Sequence, residues 1–162
     1  MKNIWFLCKI RCERIAENGM QKKVTEAYLV DALSYTEAES RIIEEVTPFM
    51  TGEFKVAGIA MQNYSELFPS DKETADRWYK CKLAFITIDE KSGAEKKSMT
   101  QMLVQASDFQ DALHCLNEGM KETMADYVIV SISETPLWMC SLINRRLNLN
   151  LKEKNDEGFK PF

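Results

Sequence analysis

The sequence contains a single histidine and no pair of cysteines separated by two residues. Histidine is the side chain that most often acts as a general base near neutral pH, and closely spaced cysteines commonly hold zinc. The six glycines form neither a dinucleotide-binding fingerprint nor a phosphate-binding P-loop. A catalytic base, a zinc site and nucleotide hydrolysis by familiar routes are therefore all poorly supported.

Long apolar runs and excess basic charge are also missing. No stretch reaches the roughly 18 apolar residues of a membrane-spanning helix, and the first residues lack the apolar stretch of a signal peptide. The formal net charge of −4 removes the strong basic field of a general nucleic-acid binder. Five cysteines, an odd number, fit buried thiols in a reducing compartment. We expect a cytoplasmic protein that does not enter a membrane.

Internal similarity is the main feature that is present. Two stretches of the chain match at a spacing of 73 residues, which becomes 74 after one inserted residue. Self-similarity at a fixed spacing is typical of a repeated structural unit, so the sequence predicts a tandem duplication. The identical pairs are Trp5/Trp78, Cys8/Cys81, Lys9/Lys82, Gly19/Gly93, Lys22/Lys96, Lys23/Lys97, Leu29/Leu103, Val30/Val104, Ala32/Ala106, Ala38/Ala112 and Glu44/Glu118.

Each copy is predicted to contain two strands, a helix and a third strand. The first strands alternate in polarity, with Cys8 and Cys81 on the face expected to form the core. Asn18-Gly19 and Ser92-Gly93 predict tight hairpin turns, and a polar capping residue precedes each helix. The predicted fold class is therefore α+β, a tandem duplication of a ββαβ unit with antiparallel sheets and one helix packed on each unit.

We expect residues 1–136 to form a single domain of two pseudo-repeats, 1–62 and 77–136, joined by a polar linker over 63–76. The repeat pattern ends there, so residues 137–162 are predicted to form a C-terminal extension that is partly mobile. The start of this extension is interpreted as either an added edge strand or a docking arm. Exposed strand edges and a leucine-rich segment in the extension favour a homo-oligomer, with a homodimer as the expected form.

Several long blocks of the sequence are distinctive. They are Trp5-Phe6-x-Cys8-Lys9, Asn18-Gly19-Met20-Gln21-Lys22-Lys23-Val24-Thr25-Glu26, Tyr28-Leu29-Val30-Asp31-Ala32, Thr36-Glu37-Ala38-Glu39, Asn63-Tyr64-x-Glu66-Leu67-Phe68, Lys91-Ser92-Gly93-Ala94-Glu95-Lys96-Lys97, Met102-Leu103-Val104-Gln105-Ala106 and Ala125-Asp126-Tyr127. Together they resemble a family of short uncharacterised proteins of Bacteroidetes bacteria and their phages, over roughly Trp5 to Pro136. The resemblance implies an accessory role in a bacterial or phage-infected cytoplasm, and it carries no catalytic residue.

The face of each first strand opposite the core carries a tryptophan beside cations. Such a ring can stack on a base while the cations hold phosphate. In the interpretation that we favour, each tryptophan is instead buried by packing and the lysines keep the strand soluble. The candidate ligand-binding residues are Trp5, Lys9, Arg11, Trp78, Lys80 and Lys82.

The expected function is that of a non-catalytic accessory protein that binds a partner protein or a small phosphorylated, nucleotide-like ligand, without a cofactor or metal. One alternative, which is not favoured, is a single-stranded nucleic-acid-binding protein that uses the two tryptophan faces. The other is an enzyme of an unrecognised type, which would need a pocket that gathers Glu13, Glu26, Asp31 or Tyr28. His114 is expected to lie off the apolar stripe of the second helix and to be exposed.

Overall fold

The computed structural model describes residues 4–140, and for residues 138–140 it describes the backbone only. The described chain has the predicted α+β composition, with two sheets and two α-helices. The elements are β1 (Ile4–Ile15), β2 (Gln21–Ala32), α1 (Tyr35–Val46), a 3-10 turn (Thr47–Phe49), β3 (Lys55–Gln62), β4 (Tyr64–Phe68), β5 (Arg77–Ile88), β6 (Glu95–Ala106), α2 (Phe109–Gly119), β7 (Tyr127–Thr135) and β8 (Leu137–Cys140).

The chain divides into two compact units. Unit 1 contains β1, β2, α1, β3 and β8, and its sheet has the strand order β3-β1-β2-β8. Unit 2 contains β4, β5, β6, α2 and β7, and its sheet has the order β4-β6-β5-β7. The chain therefore enters unit 2 after Gln62 and returns to unit 1 after Pro136.

Long antiparallel hairpins, β1–β2 and β5–β6, form the centre of the two sheets. The predicted turn positions are confirmed, and in each turn only the glycine is left-handed, Gly19 at φ 80° and Gly93 at φ 68°. Glycine fits because it has no Cβ to clash in this conformation. The third strands, β3 and β7, pair antiparallel with β1 and β5, and each ladder shifts register once, after Lys9 and after Lys82.

Each sheet is mixed, whereas the sequence predicted antiparallel sheets. The fourth strand is parallel to its neighbour, since β8 pairs with β2 and β4 pairs with β6. Strand β4 lies within the segment 63–76 that was predicted to be a polar linker. Strand β8 confirms an added edge strand at the start of the 137–162 extension. The remainder of that extension, with its predicted mobility, lies outside the described residues.

Both helices begin at polar caps, as predicted. The Ser34 hydroxyl accepts a hydrogen bond from the Glu37 amide at 3.1 Å, and the Asp108 carboxylate accepts one from the Asp111 amide at 2.8 Å. These bonds satisfy amide groups that have no partner inside the helix. Neither α-helix of the described chain combines the length and the apolar character needed to cross a membrane.

The core of each unit lies on the cysteine-bearing face of its hairpin, which confirms the predicted orientation. Cys8 and Cys81 have no exposed surface. Burial raises the pKa of Cys8 to about 12 and that of Cys81 to about 11. Both thiols therefore stay protonated at neutral pH and pack as small apolar side chains.

Candidate functional site

The structure buries both tryptophans of the predicted ligand-binding faces. Trp5 is 8% exposed and Trp78 is 2% exposed. Stacking on a base requires an open ring face, which neither indole offers at this burial. The burial therefore favours the packing interpretation for these two residues.

The two hairpins have the same length and register, so their positions can be compared directly. Ile4 lies opposite Ala32 in unit 1, and Arg77 lies opposite Ala106 in unit 2. Each residue of β1 therefore corresponds to the residue of β5 that lies 73 positions later, and each residue of β2 to the β6 residue 74 positions later. Residues of β3 and β7 correspond at a spacing of 73.

The four predicted cations are not arranged alike in the two units. Exposed Lys9 corresponds to half-buried Lys82, so this pair is shared. Exposed Arg11 corresponds to the buried Ala84, and half-buried Lys80 corresponds to a leucine. The structure therefore places the predicted cations of the two units in different surroundings.

A cavity of about 630 Å³ opens in unit 1 beside Arg11, and we call it the β1–β3 pocket. Its volume falls within the roughly 300–1,000 Å³ typical of small-molecule sites. The buried thiol of Cys12 and the half-buried ring of Phe54 supply its apolar wall, and the other lining side chains are charged and exposed. The lining residues are Arg11, Cys12, Glu13, Lys23, Glu53, Phe54 and Lys55.

The pocket exists because β3 pairs with only part of the edge of β1 and leaves the end of β1 near the hairpin turn uncovered. The β1–β3 ladder ends where Arg11 pairs with Lys55, whereas β1 continues to pair with β2 as far as Ile15. Beyond Arg11 the edge of β1 therefore has no ladder partner on this side in the described chain. The open corner between β1 and the segment before β3 forms the cavity.

Unit 2 has large side chains at the same corner. Cys12 corresponds to Phe85, and Phe54 corresponds to Tyr127. The rings of Phe85 and Tyr127 contact each other with centroids 6.0 Å apart, and both pack against the core of unit 2. Unit 1 therefore has the smaller Cys12 thiol where unit 2 has the Phe85 ring.

Five charged side chains line the β1–β3 pocket, three of them cationic. Arg11, Lys23 and Lys55 carry positive charge, and Glu13 and Glu53 carry negative charge. Within residues 4–140 none of the five forms an ion pair or a side-chain hydrogen bond, although other arginines of the protein are paired. The pocket therefore presents charges of both signs that are available to a ligand.

A buried ionic cluster lies near the pocket on the core face of the same hairpin. The Arg14 guanidinium donates to both oxygens of Glu26, at 2.8 and 3.0 Å, and the Tyr28 hydroxyl donates to the same carboxylate. Glu26 is only 2% exposed, and the hydrogen bond from Arg14 holds the pKa of its carboxyl below the ordinary value. Arg14 also donates to the Phe49 carbonyl at 3.1 Å. The cluster thus ties the hairpin to the turn after α1.

The residues named for an enzyme are not gathered in one pocket. Glu26 and Tyr28 bond to each other in the buried cluster, and Asp31 accepts a hydrogen bond from Arg41 at 2.9 Å. Only Glu13 of the four lines the β1–β3 pocket. His114 is exposed on α2, as predicted.

The described chain contains no cluster of side chains that could bind a metal ion. Over residues 4–140 no three His, Cys, Asp or Glu side chains lie close enough together to hold a metal ion. Cys12 is the thiol nearest to the charged pocket residues, and burial raises its pKa. The Cys12 thiol is therefore a weak nucleophile at neutral pH.

A second cavity of about 350 Å³ lies in unit 2. It contains one charged side chain, Lys82, among mainly uncharged polar groups. One of the predicted cations therefore lines each cavity, Arg11 in unit 1 and Lys82 in unit 2. The lining residues of the second cavity are Asn63, Ser65, Lys82, Met99, Thr100 and Gln101.

Sequence reasoning identified Arg11 but missed most of the β1–β3 pocket. Lys23 stands in the sequence as part of a Lys-Lys pair beside the hairpin turn, which fits either a ligand contact or protection of the strand edge, and nothing in the pattern marks Glu53 or Lys55. One signal was available, because Cys12 stands where unit 2 has Phe85. A small residue where the matching core position has a large one indicates that the two corners are packed differently.

Comparisons with known proteins identify a family without identifying an activity. Neither the search of curated proteins nor the search of solved structures finds a match. A family described as a domain of unknown function (DUF4494) matches residues 4–140, which is most of the chain and includes every described strand and helix. The chain therefore belongs to the DUF4494 family.

Proposed function

We propose that this protein is a non-catalytic accessory protein that binds a small phosphorylated ligand in the β1–β3 pocket of unit 1. The observation that carries the proposal is the convergence of Arg11, Lys23 and Lys55 on one cavity without an ion-pair partner in the described chain. A phosphate group carries up to two negative charges and accepts several hydrogen bonds, so the facing pair Arg11 and Lys55 suits it, and Lys23 adds positive charge to the same cavity.

The expected affinity is modest. The pocket is open and its cations are exposed, so water and salt weaken each contact. Binding must also offset the lost freedom of the ligand and of the long side chains. A dissociation constant of about 10 μM to 1 mM is the range that such contacts support.

We also propose that units 1 and 2 arose by tandem duplication of a ββαβ segment in a bacterial or phage genome. Support comes from the shared strand order, the equal hairpin length and the register shift at Lys9 and Lys82. After such a duplication the unit 1 corner kept or gained a cavity while the unit 2 corner held two aromatic rings. The free thiols of the described chain support a reducing, cytoplasmic setting for the protein.

The burial of both tryptophans weakens the single-stranded nucleic-acid alternative. That alternative relied on stacking between bases and exposed rings. The scattered positions of Glu13, Glu26 and Asp31 likewise weaken the enzyme alternative, because acid–base chemistry needs its groups within reach of one substrate. A ligand-binding role therefore has the stronger support.

Isothermal titration calorimetry with propyl phosphate tests the proposed function. Propyl phosphate should bind the wild-type protein, and Arg11→Ala or Lys55→Ala should each weaken binding about fivefold to tenfold. Lys9→Ala is the matched control, because Lys9 is an exposed cation of the same strand that does not line the pocket. The proposal fails if propyl phosphate gives no binding heat, or if Lys9→Ala weakens binding as much as Arg11→Ala.

A second candidate function, self-association, is favoured by the outer edge of β7. This strand has nine residues, pairs only with β5 in the described chain, and contains neither lysine, arginine nor proline to protect its edge. Val128 and Val130 are 50% and 53% exposed. Because Glu134 lies near one end of β7, antiparallel pairing of two copies keeps the two carboxylates apart. The occupant that we propose for this edge is a second copy of the chain.

Sedimentation equilibrium at several protein concentrations tests this association. Wild-type protein should form a dimer, and Val130→Lys should shift it to a monomer because it places a charge in the paired edge. Ile15→Lys, which adds the same charge at an exposed apolar position of unit 1, should leave the dimer intact. A monomeric wild-type protein at high concentration contradicts the idea.

A further inference from the structure

We infer that the ligand of the β1–β3 pocket is a zwitterion, with an anionic group and an ammonium group held apart by a short spacer. This inference rests on the proposed function and adds the chemical class of the ligand. It follows from the order of the charges along the two sides of the pocket.

The cationic end of the pocket is defined by strand register. Arg11 on β1 and Lys55 on β3 are direct cross-strand partners. Their positions place two positive charges side by side at the last rung of the ladder. Unless an anion lies between them, two like charges directly opposite each other are destabilising.

The acidic end lies two residues further along both chain segments. Glu13 follows Arg11 by two positions, and Glu53 precedes Lys55 by two positions. Along β1, two residues of extended chain place Glu13 about 6.7 Å beyond Arg11. Glu53 lies in the irregular segment before β3 and lines the same pocket, and because β1 and β3 run antiparallel this segment leads from Lys55 toward the end where Glu13 lies. We therefore assign charges of opposite sign to the two ends of the pocket.

Lys23 reduces the negative charge at the acidic end without cancelling it. It is the cross-strand partner of Glu13, but the two side chains form no ion pair in the described chain. The acidic end therefore carries two carboxylates and one ammonium, and the cationic end carries two cations. A purely anionic ligand would leave the acidic end with one net negative charge, because Lys23 offsets only one of its two carboxylates, whereas an amine on the ligand supplies the second positive charge.

The same corner of unit 2 keeps two of the five charges and lacks the other three. Lys23 corresponds to Lys97 and Glu53 to Asp126, whereas Arg11 corresponds to Ala84, Lys55 to Val128 and Glu13 to Ile86. The outward face of this corner therefore tolerates apolar side chains in the same fold. The charges of Arg11, Lys55 and Glu13 are therefore not required to form the hairpin, which favours a role in binding.

A matched pair of ligands separates the inference from the proposed function. Calorimetry compares 3-aminopropyl phosphate with propyl phosphate, which differ only in the ammonium group. We expect the amine to tighten binding about threefold to tenfold. Glu13→Gln combined with Glu53→Gln should remove this advantage while propyl phosphate still binds. Glu17→Gln, an exposed carboxylate of the β1–β2 turn that does not line the pocket, is the control and should preserve the advantage.

Each outcome supports or overturns a stated claim. If the two ligands bind with equal affinity and binding depends on Arg11, the zwitterion inference is wrong and the proposed function is still supported. An amine advantage that survives the double substitution also overturns the zwitterion inference, because the carboxylates then do not bind the ammonium. Absence of binding by both ligands overturns the proposed function together with the inference. Circular dichroism of each variant verifies that the fold is intact.

Discussion

Loss of Arg14 should destabilise the protein by more than its partly exposed position would indicate. Its partner Glu26 is 2% exposed and accepts two hydrogen bonds from the guanidinium. In Arg14→Thr this carboxylate stays buried without its counter-charge. Removal of one member of a buried ion pair typically costs about 3–5 kcal/mol. Because the Arg14 side chain is 32% exposed, water screens part of the pair, and we expect a loss of about 2–4 kcal/mol.

Replacement of the whole cluster should cost much less than removal of Arg14 alone. The triple variant Arg14→Thr, Glu26→Thr and Tyr28→Met gives unit 1 the residues that unit 2 has at the corresponding positions. It leaves no buried charge behind, so the free energy of unfolding should fall by less than about 1.5 kcal/mol. Urea denaturation at pH 7, followed by circular dichroism, measures both losses.

The same cluster gives the stability a defined pH dependence. The pKa of Glu26 is lowered from its ordinary value of 4.5 in the folded protein, chiefly by the hydrogen bond from Arg14. Its contribution to stability is therefore fully present above pH 4.5 and is lost as the pH falls further toward the folded-state pKa. Wild-type protein should lose more stability than the triple variant in this acidic range.

Three results would refute this account of the cluster. The first is an Arg14→Thr variant whose free energy of unfolding lies within about 0.5 kcal/mol of the wild-type value, because ordinary surface substitutions change stability by no more than this. The second is a triple variant as unstable as the single variant. The third is an identical acid dependence of the wild-type protein and the triple variant.

Three further predictions concern the size of the β1–β3 pocket, the β1–β2 turn and the independent folding of unit 2. Cys12→Phe, the residue found at the corresponding place of unit 2, should weaken phosphate binding in calorimetry because the larger side chain fills part of the pocket, and unchanged affinity would contradict the cavity. Gly19→Ala should cost about 1 kcal/mol in urea denaturation because the backbone there is left-handed, whereas Gly52→Ala should be nearly neutral, and equal losses would refute the role of the turn. The fragment 63–136 contains all four strands of one sheet with α2, so it should unfold cooperatively by itself, and a chain without a thermal transition would disprove this.

The hairpins and helices were predictable because local chemistry determines them. Alternating apolar residues around Cys8 and Cys81 specify strands with one buried face. Gly19 and Gly93 fix the turns, and the caps at Ser34 and Asp108 fix where the helices begin. These signals lie within a few residues of the structure that they specify.

The parallel fourth strand of unit 2 was not predictable by the same reasoning. Strand β4 is five residues long and pairs with a strand that begins almost thirty residues after it ends. A short strand shows too little alternation to stand out, and parallel pairing has no turn signature in the sequence. The segment was therefore predicted to be a polar linker.

The candidate site was predicted only in part, because its residues converge through register. Arg11 was identified from its place on the outward face of β1. Its pairing with Lys55, and the position of Glu53 beside the same cavity, follow from where β3 begins. The alternation of polar and apolar residues along the first strands also placed Trp5 and Trp78 on the outward face. That alternation alone does not show that both side chains are buried.

An NMR titration tests the central claim most directly, because it reports which residues meet the ligand. Backbone amide shifts are recorded while propyl phosphate is added to the uniformly labelled full chain. We expect progressive shifts that concentrate at Arg11, Lys23 and Lys55, with small changes at Lys82 in unit 2. No shifts, or shifts that concentrate at Lys82, would contradict a phosphate site in the β1–β3 pocket.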